Sequence, residues 1–131
     1  MLQTLYIENI AVIEKCSIDF NGGLNVLTGE TGAGKSIIID AINAILGQRT
    51  SRDIIRTGAG SAFVSAFFDE INDAVHEKLL SLGIEDEDGT LLLQRTLSAS
   101  GKSTCKINGR PATLAMLRDL STGLINIHGQ H

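Results

Sequence analysis

Gly29-Glu30-Thr31-Gly32-Ala33-Gly34-Lys35-Ser36 follow the order G-x-x-x-x-G-K-[ST], which can cradle a nucleoside triphosphate. The glycines let the backbone curl until successive N–H groups point inward at phosphate oxygens, with no Cβ in the way. A helix starting near Lys35 aims its unpaired N–H groups and the positive end of its dipole at the same anion. Lys35 sets a point charge against the β- and γ-phosphates. The Ser36 hydroxyl can ligate Mg²⁺, a hard ion that takes oxygen ligands. The chain is therefore expected to bind a nucleoside triphosphate with Mg²⁺. No N-K-x-D sequence, the guanine-reading pattern, occurs anywhere in it, which favours ATP.

Other stretches compete for a role. The apolar run 63–68 ends on Asp69-Glu70, the way P-loop ATPases present a Mg²⁺-ordering Asp and a general base. A small self-contained P-loop kinase or phosphotransferase would use one of these acids, with Arg49, Arg52 and Arg56 serving as an arginine-bearing lid. Ser65 interrupts the run, however, and acids close many strands. Ser100-Gly101-Lys102-Ser103 repeats the G-K-S triplet, but Thr96 stands where the first glycine belongs, so it reads as a hairpin loop. Asp86-Glu87-Asp88-Gly89 fits D-x-x-G and reads as a solvated loop tip. Cys16 and Cys105 lie far apart and match no metal spacing, as two reduced thiols would. His128 and His131 lack a third ligand and read as a polar strand end.

These groups need elements to hold them. Alternating apolar positions predict strands at 2–8 and 15–20, and Asn21-Gly22-Gly23 a turn. Residues 24–28 form a third strand that delivers the chain into the glycine-rich loop. A helix follows over 35–46, apolar on nearly every side through Ile37, Ile38, Ile39, Ala41, Ile42 and Ile45. Such a helix should be covered all round, between two sheets or between a sheet and a second layer. After a polar loop at 47–60 come a strand at 62–68 and an amphipathic helix at 73–82, with Val75, Leu79 and Leu82 on one face. Residues 91–97 and 103–107 read as a hairpin. Asn108-Gly109 marks a turn, Pro111 suits the first turn of a helix running to about 120, and 124–128 reads as a last strand. The result is an α/β chain with a meandering antiparallel portion.

A chain of 131 residues has room for one domain with a real core. Only 4% of it is aromatic, so that core must be aliphatic. A net charge of −4 argues against a surface that tracks nucleic acid as a whole, yet leaves room for a small basic patch. No apolar run approaches the ~20 residues of a membrane span, and Met1-Leu2-Gln3-Thr4 carries no basic leader. A cytoplasmic protein without a membrane partner is expected.

Leu5-Tyr6-Ile7-Glu8-Asn9-Ile10, the phosphate loop and Asn126-Ile127-His128-Gly129-Gln130-His131 together resemble the start of the RecN family of bacterial DNA repair proteins, in the SMC-like branch of ABC-type ATPases. Ile54-Ile55-Arg56-Thr57-Gly58 and Lys106-Ile107-Asn108-Gly109-Arg110 look like that family too. The opening and the phosphate loop are shared across the branch, and His128-Gly129-Gln130-His131 is the part that points to RecN. The resemblance implies an α/β P-loop NTPase fold: the N-terminal lobe of an ABC/SMC-like ATPase head, with an antiparallel β portion beside the P-loop strand and helix. Residues 1–131 would be a single domain ending at the Q-loop. Gln130 would be the Q-loop residue, which ligates Mg²⁺, senses the γ-phosphate and is catalytic beside Lys35; an amide offers both an acceptor oxygen and donor N–H groups for this.

The implied partners are the C-terminal lobe of the same protein, a second head in a head-to-head homodimer, and DNA contacted through the full-length protein. That lobe would follow a long coiled coil and supply the signature motif, the catalytic Asp-Glu and a switch histidine. The implied role is recombinational repair of double-strand breaks. On this reading Asp69 and Glu70 are demoted. Arg49, Arg52 and Arg56 fit a place near the nucleotide or the dimer interface, and equally a solvated basic loop. Two departures stand out: Asn9-Ile10-Ala11-Val12 lacks the base that some relatives place near the nucleotide, and the chain has no heptad run or signature motif. The chain alone is therefore expected to bind nucleotide weakly and hydrolyse it negligibly.

Overall fold

Period-two alternation of aliphatic residues gathers the strands, because each buried side chain meets one on the same face of the neighbouring strand. The computed structural model describes residues 1–20, 32–50, 52–86 and 88–128, with backbone only at 32–35, 52 and 125–128. The described strands are β1 (Leu2–Ile10), β2 (Ile13–Asp19), β3 (Ser61–Phe68), β4 (Leu91–Ser98), β5 (Ser103–Ile107) and β6 (Arg110–Ala112). They form one six-stranded sheet in the order β2-β1-β3-β4-β5-β6. Every neighbouring pair is antiparallel.

The register makes rows across the sheet. Ile18, Leu5, Ala66, Leu93 and Ile107 lie opposite one another in turn, and all are buried. The next row is Cys16, Ile7, Val64, Arg95 and Cys105, so an arginine stands in an otherwise apolar line. The opposite face carries Tyr6, Ser65, Gln94 and Lys106.

Three helices join the buried face: α1 (Gly32–Ile45), α2 (Asp73–Ser81) and α3 (Leu114–His128). α1 lies against β1, β3 and β4, α3 against β5, and α2 against α3. Ile37, Ile38, Ala41 and Ile45 share one core cluster with Val75, Leu79, Leu117, Leu120 and Leu124. Each fully buried aliphatic side chain contributes roughly 1.5–3 kcal/mol. α2 and α3 touch at Gly123, where a Cβ would stand 2.8 Å from Val75 Cγ2.

Several expectations need correction. α1 begins at Gly32 rather than near Lys35. It is covered on the sheet side only, for Ile39 is 52% exposed and Ser36, Asp40 and Asn43 are exposed beside it. Pro111 sits in β6, paired with Lys106, rather than in a helix; a missing N–H is tolerated on a sheet edge. α3 starts at Leu114, where Thr113 Oγ1 accepts the Met116 N–H at 3.1 Å. It continues through 124–128, where a strand was expected, so His128 ends a helix and not a strand. A short apolar run does not declare its own period, and here Leu117, Leu120 and Leu124 carry the helical one onward. The expected turn at 21–23 and strand at 24–28 lie outside the described residues.

Candidate functional site

Gly32, Ala33, Gly34, Lys35 and Ser36 are the first five residues of α1, so the second half of the glycine-rich loop is helical. The first turn contains no acid. The positive end of the helix dipole is therefore not neutralised by a carboxylate of that turn, which suits it to an anion. Ile37 and Ile38 are buried against the sheet while Ser36 is exposed. Anchoring of α1 thus turns the serine away from the core. Gly29, Glu30, Thr31 and Gln130 lie outside the described residues, as does His131.

Asp40 follows Ser36 by four residues, on the same exposed stripe; that spacing sets Cβ atoms roughly 5–6 Å apart. Asp40, Asn43, Gln48, Arg49, Thr50 and Ile54 line a cavity of about 320 Å³. Asp40 and Asn43 were not singled out from sequence, although the Ser36/Asp40 spacing was there to be read. Arg49 is exposed and borders this cavity. Arg56 is half-buried, and its backbone N–H donates to Asn9 O at 2.8 Å. Ala11 N–H donates to Ile54 O at 2.7 Å. The arginine-bearing loop is thereby fastened to the β1–β2 turn, whose Val12 is 83% exposed. The side chain of Arg52 lies outside the described residues.

At its other end α1 meets Arg95. The Nη1 group donates to Ala44 O and to Gln48 O, each at 2.8 Å, and Nε donates to Ser103 Oγ at 3.0 Å. The residue is 3% exposed. Burial lowers its pKa from the ordinary arginine value, but a guanidinium stays charged in a protein. That charge sits where the helix dipole is negative. Burial pushes the Cys105 thiol up, and the neighbouring Arg95 opposes the rise. Both cysteines are free thiols.

The competing stretches have structural employment. Asp69 Oδ1 accepts from Gln3 Nε2 at 2.9 Å, Asp69 N–H donates to Met1 O at 2.9 Å, and the Met1 ammonium donates to Asp69 O. The acid is a pin between the start of β1 and the end of β3. Glu70 follows it with φ +50°. Residues 98–103 close a hairpin, with Ser98 N–H donating to Lys102 O at 2.8 Å. Asp86 Oδ2 accepts the Gly89 N–H, and Oδ1 pairs with His76 Nδ1, each at 2.8 Å. The Gly89 amide and His76 hold the Asp86 carboxyl below its ordinary value. Among the described residues no group of three or more His, Cys, Asp or Glu is placed to hold a metal ion. Nor is any helix long and apolar enough to cross a membrane.

A family model described as an AAA domain matches residues 4–129. The chain is 46% identical over 132 residues to the DNA repair protein RecN of Halalkalibacterium halodurans, aligning along 100% of its own length and 23% of that protein's. It is 44% identical over 134 residues to RecN of Bacillus subtilis, with the same coverage of 100% and 23%. The chain thus spans about 23% of the length of these curated relatives. Among solved structures, it is similar to a chain from work on ATP-driven dimerization and DNA-stimulated activation of SMC ATPases, with TM-score 0.75 and 26% identity over 95% of this chain and 79% of that one. The Smc head domain from Pyrococcus yayanosii follows at TM-score 0.72 and 26% identity, over 93% of this chain and 25% of that one. The recombination mediator RecF bound to ATP, at TM-score 0.59 and 13% identity over 86% of this chain and 27% of that one, shares the fold.

Proposed function

The chain belongs to the AAA domain family, and on that premise we propose that it is the ATP-binding lobe of a RecN-type, SMC-like ATPase acting in the repair of DNA double-strand breaks. The observation that carries the reading is the start of α1: Gly-Ala-Gly-Lys-Ser opens the helix, no acid lies in its first turn, and Ser36 faces outward. An anion with its own metal ion fits that arrangement. The backbone N–H groups from Gly29 to Gly34 and the charge of Lys35 would hold the triphosphate, with Ser36 and Gln130 as oxygen ligands for Mg²⁺. Bound Mg²⁺ would supply charge neutralisation at the phosphates.

Hydrolysis also needs a base beside the attacking water. Asp69, the strand-end acid of the competing kinase reading, has its carboxylate bonded to Gln3 and its backbone to Met1. The base, and the signature motif that would close the site, are assigned to a C-terminal lobe and to a second head in a homodimer. DNA would be contacted by the longer protein. The 131-residue chain alone then binds Mg·ATP weakly and turns it over negligibly.

The test is turnover per head, measured for this chain and for the full-length protein under the same conditions. The chain should show no more than background. Equal rates would overturn the split-head reading, and a full-length ATPase unaffected by Gln130→Ala would remove Gln130 from the site.

A further inference from the structure

The C-terminal end of α1, the β4–β5 hairpin and α3 enclose a second cleft, of about 260 Å³. Arg49, Arg95, Lys102 and Arg118 all line it, together with Ser98 and Ser103, and among the described residues no carboxylate does. That is a concentration of positive charge in a chain whose net charge is −4.

The local balance can be drawn up. A helix C-terminus carries roughly half a negative charge. Arg95 alone more than offsets it, through its bonds to Ala44 O and Gln48 O. Arg118 adds a long contact from Nη1 to Gly47 O at 3.4 Å. Its charge lies close enough to Arg95 to press that group's pKa further down. Arg49 and Lys102 are exposed. The ion pairs among the described residues, His76–Asp86 and Lys78–Asp119, involve none of the four cations. Three positive charges are therefore surplus at one opening. Ser103 accepts from Arg95 Nε and hydrogen-bonds the Cys105 thiol, so it helps to hold the floor of the cleft in place.

Guanidinium forks and an ammonium around a roomy cleft are the chemistry that recognises phosphate oxygens. At ~30 Å³ per water the cleft holds roughly nine waters, enough for a hydrated anion to enter. α1 is 14 residues long, so at ~1.5 Å per residue about 20 Å separate this opening from the glycine-rich end.

We infer that this cleft is a second phosphate-binding site, separate from the triphosphate loop, with Arg49, Lys102 and Arg118 as its ligands and Arg95 as a fixed positive floor. The phosphate belongs either to a nucleic-acid backbone or to a free ion. Two titrations separate these sources, both on the protein with Mg²⁺ and a non-hydrolysable ATP analogue saturating the glycine-rich loop. One follows the fluorescence anisotropy of a labelled DNA duplex across a salt series. The other follows inorganic phosphate by calorimetry.

For a backbone ligand, Lys102→Ala with Arg118→Ala should weaken duplex binding about tenfold or more. It should also reduce the slope of log K against log salt by about two. For a free ion, the same variant should lose inorganic phosphate while duplex binding stays as it was. Lys102→Glu, on an exposed hairpin loop, should weaken whichever ligand binds more than Lys102→Ala does. Variants that overlay the wild type in both titrations would overturn the inference.

Discussion

At its C-terminal end α1 gives the carbonyl of Ala44, and the loop just beyond it that of Gln48, to a guanidinium from β4, a residue 51 positions along the chain from Ala44. At its N-terminal end the first turn carries no acid, and Ser36, just beyond it, is exposed. The same helix thus ends once on the protein's own cation and once on a turn that leaves its positive dipole end unopposed from within. The difference separates two kinds of requirement. At the carbonyl end the Gly47 N–H and a guanidinium from a distant strand together satisfy Ala44 O, so the partners come from the protein itself. The amide end is where a ligand can supply the missing negative charge.

Each end can be tested for the loss that the other should not show. Lys35→Ala should cost the full-length protein at least about a hundredfold in ATP turnover, the scale of losing one charged contact to a reacting phosphate. Its urea midpoint should barely move. A variant that unfolded instead would mean that the amide end also serves the fold. Arg95→Met should show the opposite split. It removes the charged donor from both carbonyls, although Ala44 O keeps the Gly47 N–H at 3.1 Å and Gln48 is exposed, for a net loss of roughly 1–3 kcal/mol. Urea unfolding measures it, and nucleotide affinity of the folded protein should remain. If Arg95→Met lowered affinity without lowering stability, the contrast between the two ends would collapse.

Arg95 also shows how far the sequence could be read. Leu91, Leu93 and Leu97 alternate along β4, and the arginine falls on their inward set; that position was the signal of a buried cation. It is easily passed over, because alternation alone does not reveal a carbonyl pair waiting on another element. The strands were legible for the ordinary reason that Ala62, Val64, Ala66 and Phe68 repeat every second residue. The start of α1 was legible from glycine spacing. Pro111 and 124–128 were misread because their settings are tertiary: an edge strand that can spare an N–H, and a helix whose stripe began at Leu117. The covering of α1 was read from composition, and composition does not say which side is covered. Asp69 resembled a catalytic acid through its place at a strand end, whereas its partner Gln3 lies 66 residues away.

The closed end of α1 depends on a close approach as well as on a charge. Gly47 has φ +89°, and a Cβ there would lie 2.9 Å from both Arg118 Cγ and the Arg118 backbone N. Gly47→Ala would therefore strain the backbone and push α3 away from the helix end, at roughly 1–3 kcal/mol. Denaturant unfolding reads the loss. A neutral result would mean that α3 can retreat without cost, and that Arg95 alone secures the end.

α2 supplies the smallest and most diagnostic comparison, because its N-terminus is closed from within. Asn72 caps it, Oδ1 accepting the Val75 N–H at 2.9 Å, and Asp73 places an acid in the first turn. Asn72→Ala should cost about 1 kcal/mol in urea unfolding, and Asn72→Asp should keep most of the stability because it retains the acceptor. If Asn72→Ala cost nothing, this fold would tolerate an unsatisfied helix N-terminus without a ligand, and the missing acid in the first turn of α1 would carry no information. A loss near the expected size means that such ends matter here, and that the end left without an acid at Gly32 is the one left for an anion.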